Sequence, residues 1–108
     1  MPERFYCGRE GCVVVREGEF SQPLDLRLDL DPEGQTGLKW GRENDKGKRL
    51  AVALLADALN DDTKAVHLAE AFTARVVTML PERWTMSRAR VLSFVMIIAR
   101  ETLVGLER

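Results

Sequence analysis

Lys48-Arg49-Leu50-Ala51-Val52-Ala53-Leu54-Leu55-Ala56-Asp57-Ala58-Leu59 is the stretch on which the fold turns. Leucines, valine and alanines fall at every angle around a helix of 3.6 residues per turn, and a helix that is apolar on all sides belongs at the centre of a domain. Asn60-Asp61-Asp62 stops this first helix and supplies capping chemistry for the next. Downstream, Ala65, Leu68, Ala69, Phe72, Val76, Met79 and Leu80 recur at helical spacing, so a second, amphipathic helix is predicted over residues 63–80. Pro81 ends it. Ser87 reads as the N-cap of a third helix, from residue 88 to 103 or beyond.

Upstream the character changes. Seven of the eight glycines lie at or before Gly47. Phe5-Tyr6-Cys7, the loop Gly8-Arg9-Glu10-Gly11 and Cys12-Val13-Val14-Val15 read as a hairpin. Gly18 to Pro23 reads as a turn. Leu24-Asp25-Leu26-Arg27-Leu28-Asp29-Leu30-Asp31 alternates leucine with charge, the period of a strand with one buried face. Asp31-Pro32-Glu33-Gly34 ends it with turn residues. Leu38-Lys39-Trp40 is a candidate short strand, and residues 42–47 a loop. The expected class is α+β: a small antiparallel sheet, made of the N-terminal hairpin plus one or two strands, packed against three C-terminal helices. One domain spans residues 1–108, with strands and loops in 1–47 and helices in 48–108.

Composition agrees with a single domain. The chain has 108 residues, is 45% hydrophobic and 31% charged, and carries 16 Lys+Arg against 17 Asp+Glu. It is too apolar for disorder and lacks the basic excess of a phosphate-driven nucleic-acid binder. The longest apolar run, Val91 to Ala99, is interrupted by Ser93 and falls short of the roughly 18 residues of a membrane span. No secretory signal follows Met1-Pro2-Glu3-Arg4, so a cytoplasmic location is expected, with Cys7 and Cys12 as thiols. A cross-strand disulfide between them is the alternative.

Several chemistries fail on spacing. Asp29-x-Asp31-x-Glu33-Gly34 resembles the start of a calcium loop, but the position that needs a bidentate Glu holds Trp40. Cys7, Cys12 and His67 lack paired zinc-ligand spacing. Gly41 and Gly47 stand one residue too far apart for a P-loop, and Arg49 replaces its Ser or Thr. His67, the single histidine, has no recognisable nucleophile beside it. No metal and no cofactor are expected. Asp57 stands out, because a carboxylate among apolar residues needs a partner.

The segment Gly37-Leu38-Lys39-Trp40-Gly41, a polar loop, and then Leu50-Ala51-Val52-Ala53-Leu54-Leu55-Ala56-Asp57 resembles a domain-of-unknown-function family of small bacterial and phage proteins. Tyr6 and Gly8, Pro23-Leu24, Phe72 with Val76 and Val77, Leu80-Pro81, and Trp84 before a Thr carry the resemblance further, over about residues 5–88. It implies a fold and a phage or mobile-element setting. It implies no reaction and no catalytic residue.

The expected function is a non-enzymatic protein-binding module; in a phage setting, one that inhibits a host defence complex by binding it. The acidic face Asp25, Asp29, Asp31 and Glu33 is the candidate contact. The first alternative is nucleic-acid or anion contact through Lys46, Lys48, Arg49, Arg88 and Arg90. The second is an enzyme with a carboxylate site joining Asp57 to His67. The third helix holds more apolar surface than one buried face requires, so Val91, Phe94, Val95, Ile98 and Leu103 are candidates for a homodimer interface.

Overall fold

The computed structural model describes residues 2–30, 38–41 and 47–106, the last five of these in backbone alone. Their order is β1 (Arg4–Arg9), β2 (Cys12–Glu17), β3 (Phe20–Pro23), α1 (Lys48–Leu59), α2 (Asp62–Arg75), a 3₁₀ turn (Val77–Met79), β4 (Trp84–Ser87) and α3 (Arg88–Leu106). The four strands form one antiparallel sheet in the order β3-β2-β1-β4, and the helices cover one of its faces. The α+β class expected from the sequence is therefore what the chain adopts.

The hairpin is tighter than its glycines suggested. Gly8 and Arg9 belong to β1, and the loop is Glu10-Gly11 alone, with φ of 52° and 78°. Two consecutive positive φ values give the turn whose twist matches paired strands. Arg9 then opposes Cys12, and Cys7 opposes Val14, so the cysteines are not cross-strand partners. Diagonal neighbours stand about 7–8 Å apart, beyond disulfide reach. Both are free thiols.

Register puts Tyr6, Gly8, Val13, Val15, Trp84 and Met86 on the same, core-facing side of the sheet. Gly8 is required there. Any Cβ at this position would lie 2.1 Å from Nε1 of Trp84, whose indole covers the Gly8 backbone. Trp84 also meets Trp40 edge to face, with ring centroids 5.8 Å apart, and Trp40 donates from Nε1 to the Pro81 carbonyl at 2.8 Å.

Three strand expectations change. Gly18 to Pro23 contains β3 rather than only a turn. Residues 24–30 are not a strand, despite their alternation. Leu24 N–H still donates to Val13 O at 3.0 Å, but one residue further β2 runs into its hairpin turn, leaving no backbone to pair with. The chain turns instead: Asp25 accepts from the Arg27 N–H at 2.9 Å, Arg27 has φ of 50°, and Leu30 N–H donates to Arg27 O. Leu24 is buried, whereas Leu28 points into solvent. Leu38-Lys39-Trp40 is irregular. The helical half also holds a strand, β4, which crosses back to pair with β1.

α1 has the predicted bounds. Gly47 precedes it because a Cβ there would press on Val77 Cγ1 at 2.4 Å. Asn60, left-handed at φ 53°, closes it. Asp61 caps α2 by accepting from the Lys64 N–H at 3.1 Å. α2 is shorter than predicted: it ends at Arg75, and the 3₁₀ turn that follows buries Val77 and exposes Met79. Ser87 caps α3 as expected, accepting from the Arg90 N–H at 3.0 Å. Phe72 and Phe94 meet edge to face between α2 and α3. No helix among the described residues is long and apolar enough to cross a membrane.

Candidate functional site

Asp57 has its partner. It is the polar interruption in the middle of α1, and the helix directs it toward the end of the sheet where β1 begins. Arg4 grips it with two hydrogen bonds of 2.7 Å, from Nε to Oδ2 and from Nη2 to Oδ1. The Tyr6 hydroxyl donates to Oδ2 at 2.5 Å. Arg4 Nη1 reaches Glu17 Oε2 on β2 at 2.9 Å. Residues 4 and 6 share one face of β1, which is why both reach one carboxylate. A cavity of about 430 Å³ lies beside them, lined also by Pro2, Glu3 and Arg88. Arg88 Nε donates to Ala58 O near the C-terminus of α1 at 2.8 Å.

The electrostatics suit a clamp. Burial works against the charged form of Asp57. Hydrogen bonds from Arg4 and Tyr6, with the charges of Arg4 and Arg88, outweigh it and hold the carboxyl below its ordinary range. A general base needs a pKa near the working pH and a free lone pair directed at substrate. Hydrogen bonding holds Asp57 below that range and occupies three of its roughly four acceptor positions. His67 lies exposed on α2 and lines neither cavity beside Asp57. The geometry thus does not join the two residues of the proposed carboxylate site. Among the described residues no group of three or more His, Cys, Asp or Glu is placed to hold a metal ion.

Tyr6 is fully buried, and it is the chain's single tyrosine. Burial first, then the hydrogen bond to the Asp57 carboxylate, push its phenol far above the ordinary value of 10.0. The neutral form is favoured by folding, so this stabilisation is present below the unfolded pKa and lost as pH rises through the folded one. The expected result is no tyrosinate absorbance in the native protein up to about pH 11. In Asp57→Asn, ionisation should move to lower pH. Native-state ionisation near the ordinary value in the unaltered protein would refute the buried clamp.

The other candidate residues are dispersed. Asp25 and Asp29 surround Arg27, which donates to Asp29 at 3.0 and 3.1 Å and to Asp62 at 2.9 and 3.0 Å. Hydrogen bonding to Arg27 holds both Asp29 and Asp62 below the usual carboxylate range. Asp25 and Asp29 are therefore part of a turn folded around a cation, not a flat acidic strand face. Asp31 and Glu33 lie outside the described residues. So does Lys46. Lys48 is exposed at the start of α1, while Arg49 is 1% exposed within the core and unavailable to nucleic acid. Arg88 is engaged at α1, and Arg90 lies over the Phe94 ring at 5.2 Å. Lys48 and Arg88 therefore stand at opposite ends of α1.

On α3, Val91 and Ile98 face this chain's own core, and Phe94 and Val95 are partly buried against it. The side chain of Leu103 lies outside the described residues. Among the described side chains of α3, the large apolar ones left in solvent are Met96 and Ile97, 65% and 50% exposed.

A second feature was not legible in the sequence. A groove of about 460 Å³ runs between the 3₁₀ turn, β4 and α3. Val76, Met79, Leu80, Trp84, Met86 and Phe94 give it an apolar lining, with Arg75 and Arg90 beside them. Met79 is 75% exposed. The groove exists because α2 stops at Arg75 and β4 returns to the sheet, and neither event leaves a periodic signal.

Comparison with known proteins gives a family and no activity. The model of DUF6166, a family of unknown function, matches residues 5–97. No curated protein and no solved structure matches.

Proposed function

The chain belongs to the DUF6166 family, and we propose that it is a non-enzymatic protein-binding module. The observation that carries this reading is the apolar groove beside β4, with Met79 held out in solvent at its rim. Exposed methionine adapts to the shape of a partner and gains by leaving water. The polar clusters, by contrast, are satisfied internally: Arg4 and Tyr6 hold Asp57, and Arg27 holds Asp29 and Asp62. In a phage or mobile-element setting, the bound partner is a host defence complex, held inactive by occupancy.

The test is reconstitution. A partner identified by affinity capture and then purified should bind the purified chain, and Met79→Glu should weaken that binding at least about tenfold. Undiminished binding by Met79→Glu, with its thermal unfolding unchanged, would remove the groove from the function. Light scattering on the free chain reads the related form of this proposal, a homodimer through Met96 and Ile97 of α3. Self-association abolished by Ile97→Lys supports it, and a monomer at all concentrations rejects it.

A further inference from the structure

We propose that the outer edge of β4 receives an extended acidic segment of the protein partner, which adds to the sheet as a fifth strand. This rests on the protein-binding reading and specifies its chemistry. β4 ends the order β3-β2-β1-β4, and among the described residues no strand pairs with its outer edge. An open edge offers unpaired backbone N–H and C=O groups, the template for strand addition. The other edge, β3, is less suited. It ends in Pro23, which has no N–H, its four residues are all exposed, and none of them lines a described cavity.

The groove runs beside β4 and supplies what four residues of backbone pairing cannot. Trp84 and Met86 face the core side and Thr85 the other, and all three border the groove along the edge of the strand. Every second side chain of an added strand falls on that same side. Apolar residues there would rest on Met79, Leu80 and Phe94.

Charge selects the occupant. The groove is lined by Arg75 and Arg90 and, among the described residues, by no carboxylate. Arg75 pairs with Glu101 at 52% side-chain exposure, so it can exchange that partner for an incoming one. Arg90 rests its guanidinium face on Phe94, and among the described residues no carboxylate pairs with it. A guanidinium stacked this way keeps its in-plane donors for a carboxylate. A segment alternating apolar residues with glutamate or aspartate satisfies edge, groove and arginines together.

The probe is a synthetic eight-residue peptide alternating valine with glutamate, titrated into the ¹⁵N-labelled chain. Amide shifts should concentrate in residues 84–87 and around the groove. Three controls should each weaken binding at least about tenfold: Arg90→Glu, the same peptide with lysine for glutamate, and the peptide N-methylated on the backbone groups that would pair. Arg90 is exposed, so its variant should stay folded, with loss of the Phe94 contact lowering the unfolding temperature by at most a few degrees. Equal binding of the N-methylated peptide overturns strand addition. Equal binding of the lysine peptide overturns the acidic specificity. Failure of the peptide to bind, while Met79→Glu still disrupts the reconstituted complex, rejects this inference and leaves the protein-binding reading standing.

Discussion

Asp57→Ala should destabilise the fold by about 2–3 kcal/mol, far more than an ordinary helix-to-alanine change. It removes the bidentate partner of Arg4 and the acceptor of the Tyr6 hydroxyl in one step. Tyr6 is 0% exposed, so its O–H is left buried without an acceptor. Arg4 keeps Glu17, and its side chain is 23% exposed, which sets the effect below that of a fully buried pair. Asp57→Asn keeps an oxygen for Tyr6 and should cost less, about 1–2 kcal/mol. Urea unfolding at neutral pH, with unchanged slope, measures both.

The pH dependence has a definite sign. Folding lowers the Asp57 pKa, so its charged-state contribution is present above the ordinary carboxylate range and is lost as pH falls through the depressed value. The stability gap between the unaltered protein and Asp57→Asn should therefore shrink below about pH 4. Taking the difference cancels the similar acid dependence of Asp29 and Asp62 around Arg27. A gap that stays constant into acid would show that the clamp is not ionic.

Gly8→Val should cost about 3 kcal/mol, although valine is the better strand residue. On propensity alone the substitution stabilises. The tertiary contact reverses this, because the new Cβ would stand 2.1 Å from Trp84 Nε1 and 2.2 Å from Cε2. The indole has little freedom to move aside. It is 7% exposed and abuts Trp40. Nor does displacement recover a hydrogen bond, since Trp84 Nε1 is buried with no acceptor among the described residues. The decisive measurement is a double-mutant cycle with Trp84→Leu, whose smaller side chain vacates the space over β1. Gly8→Val should be nearly neutral in that background, giving a coupling of about 1–3 kcal/mol. Equal costs in both backgrounds would mean that strand geometry, not the indole, requires the glycine.

Where local chemistry settles the outcome, the amino-acid order was a sufficient guide. α1 runs from Lys48 to Leu59 because apolar saturation demands burial and Asn60 takes the left-handed cap. Asp61 and Ser87 cap as their side chains dictate. The alternating leucines of 24–30 misled for a specific reason. Alternation says which side chains share a face, but a strand also needs a neighbour, and β2 ends before this segment can use it. β4 shows the converse: four residues are too few to display a period, and pairing with β1 alone makes them a strand.

The candidate sites divide the same way. That Asp57 requires a partner follows from its apolar helix. That the partner is Arg4, 53 residues away, does not. The apolar surplus of α3 is visible in composition, yet only packing assigns Val91 and Ile98 to the core and leaves Met96 and Ile97 in water. Sequence by itself determined the α+β class, the central helix, the caps and the hairpin, all of which depend on periodicity or on neighbours a few residues apart. Tertiary structure alone decided the fourth strand, the Arg4–Tyr6–Asp57 clamp and the groove beside β4. Each of these joins groups distant along the chain, and their energies depend on which surfaces meet once the helices fold over the sheet.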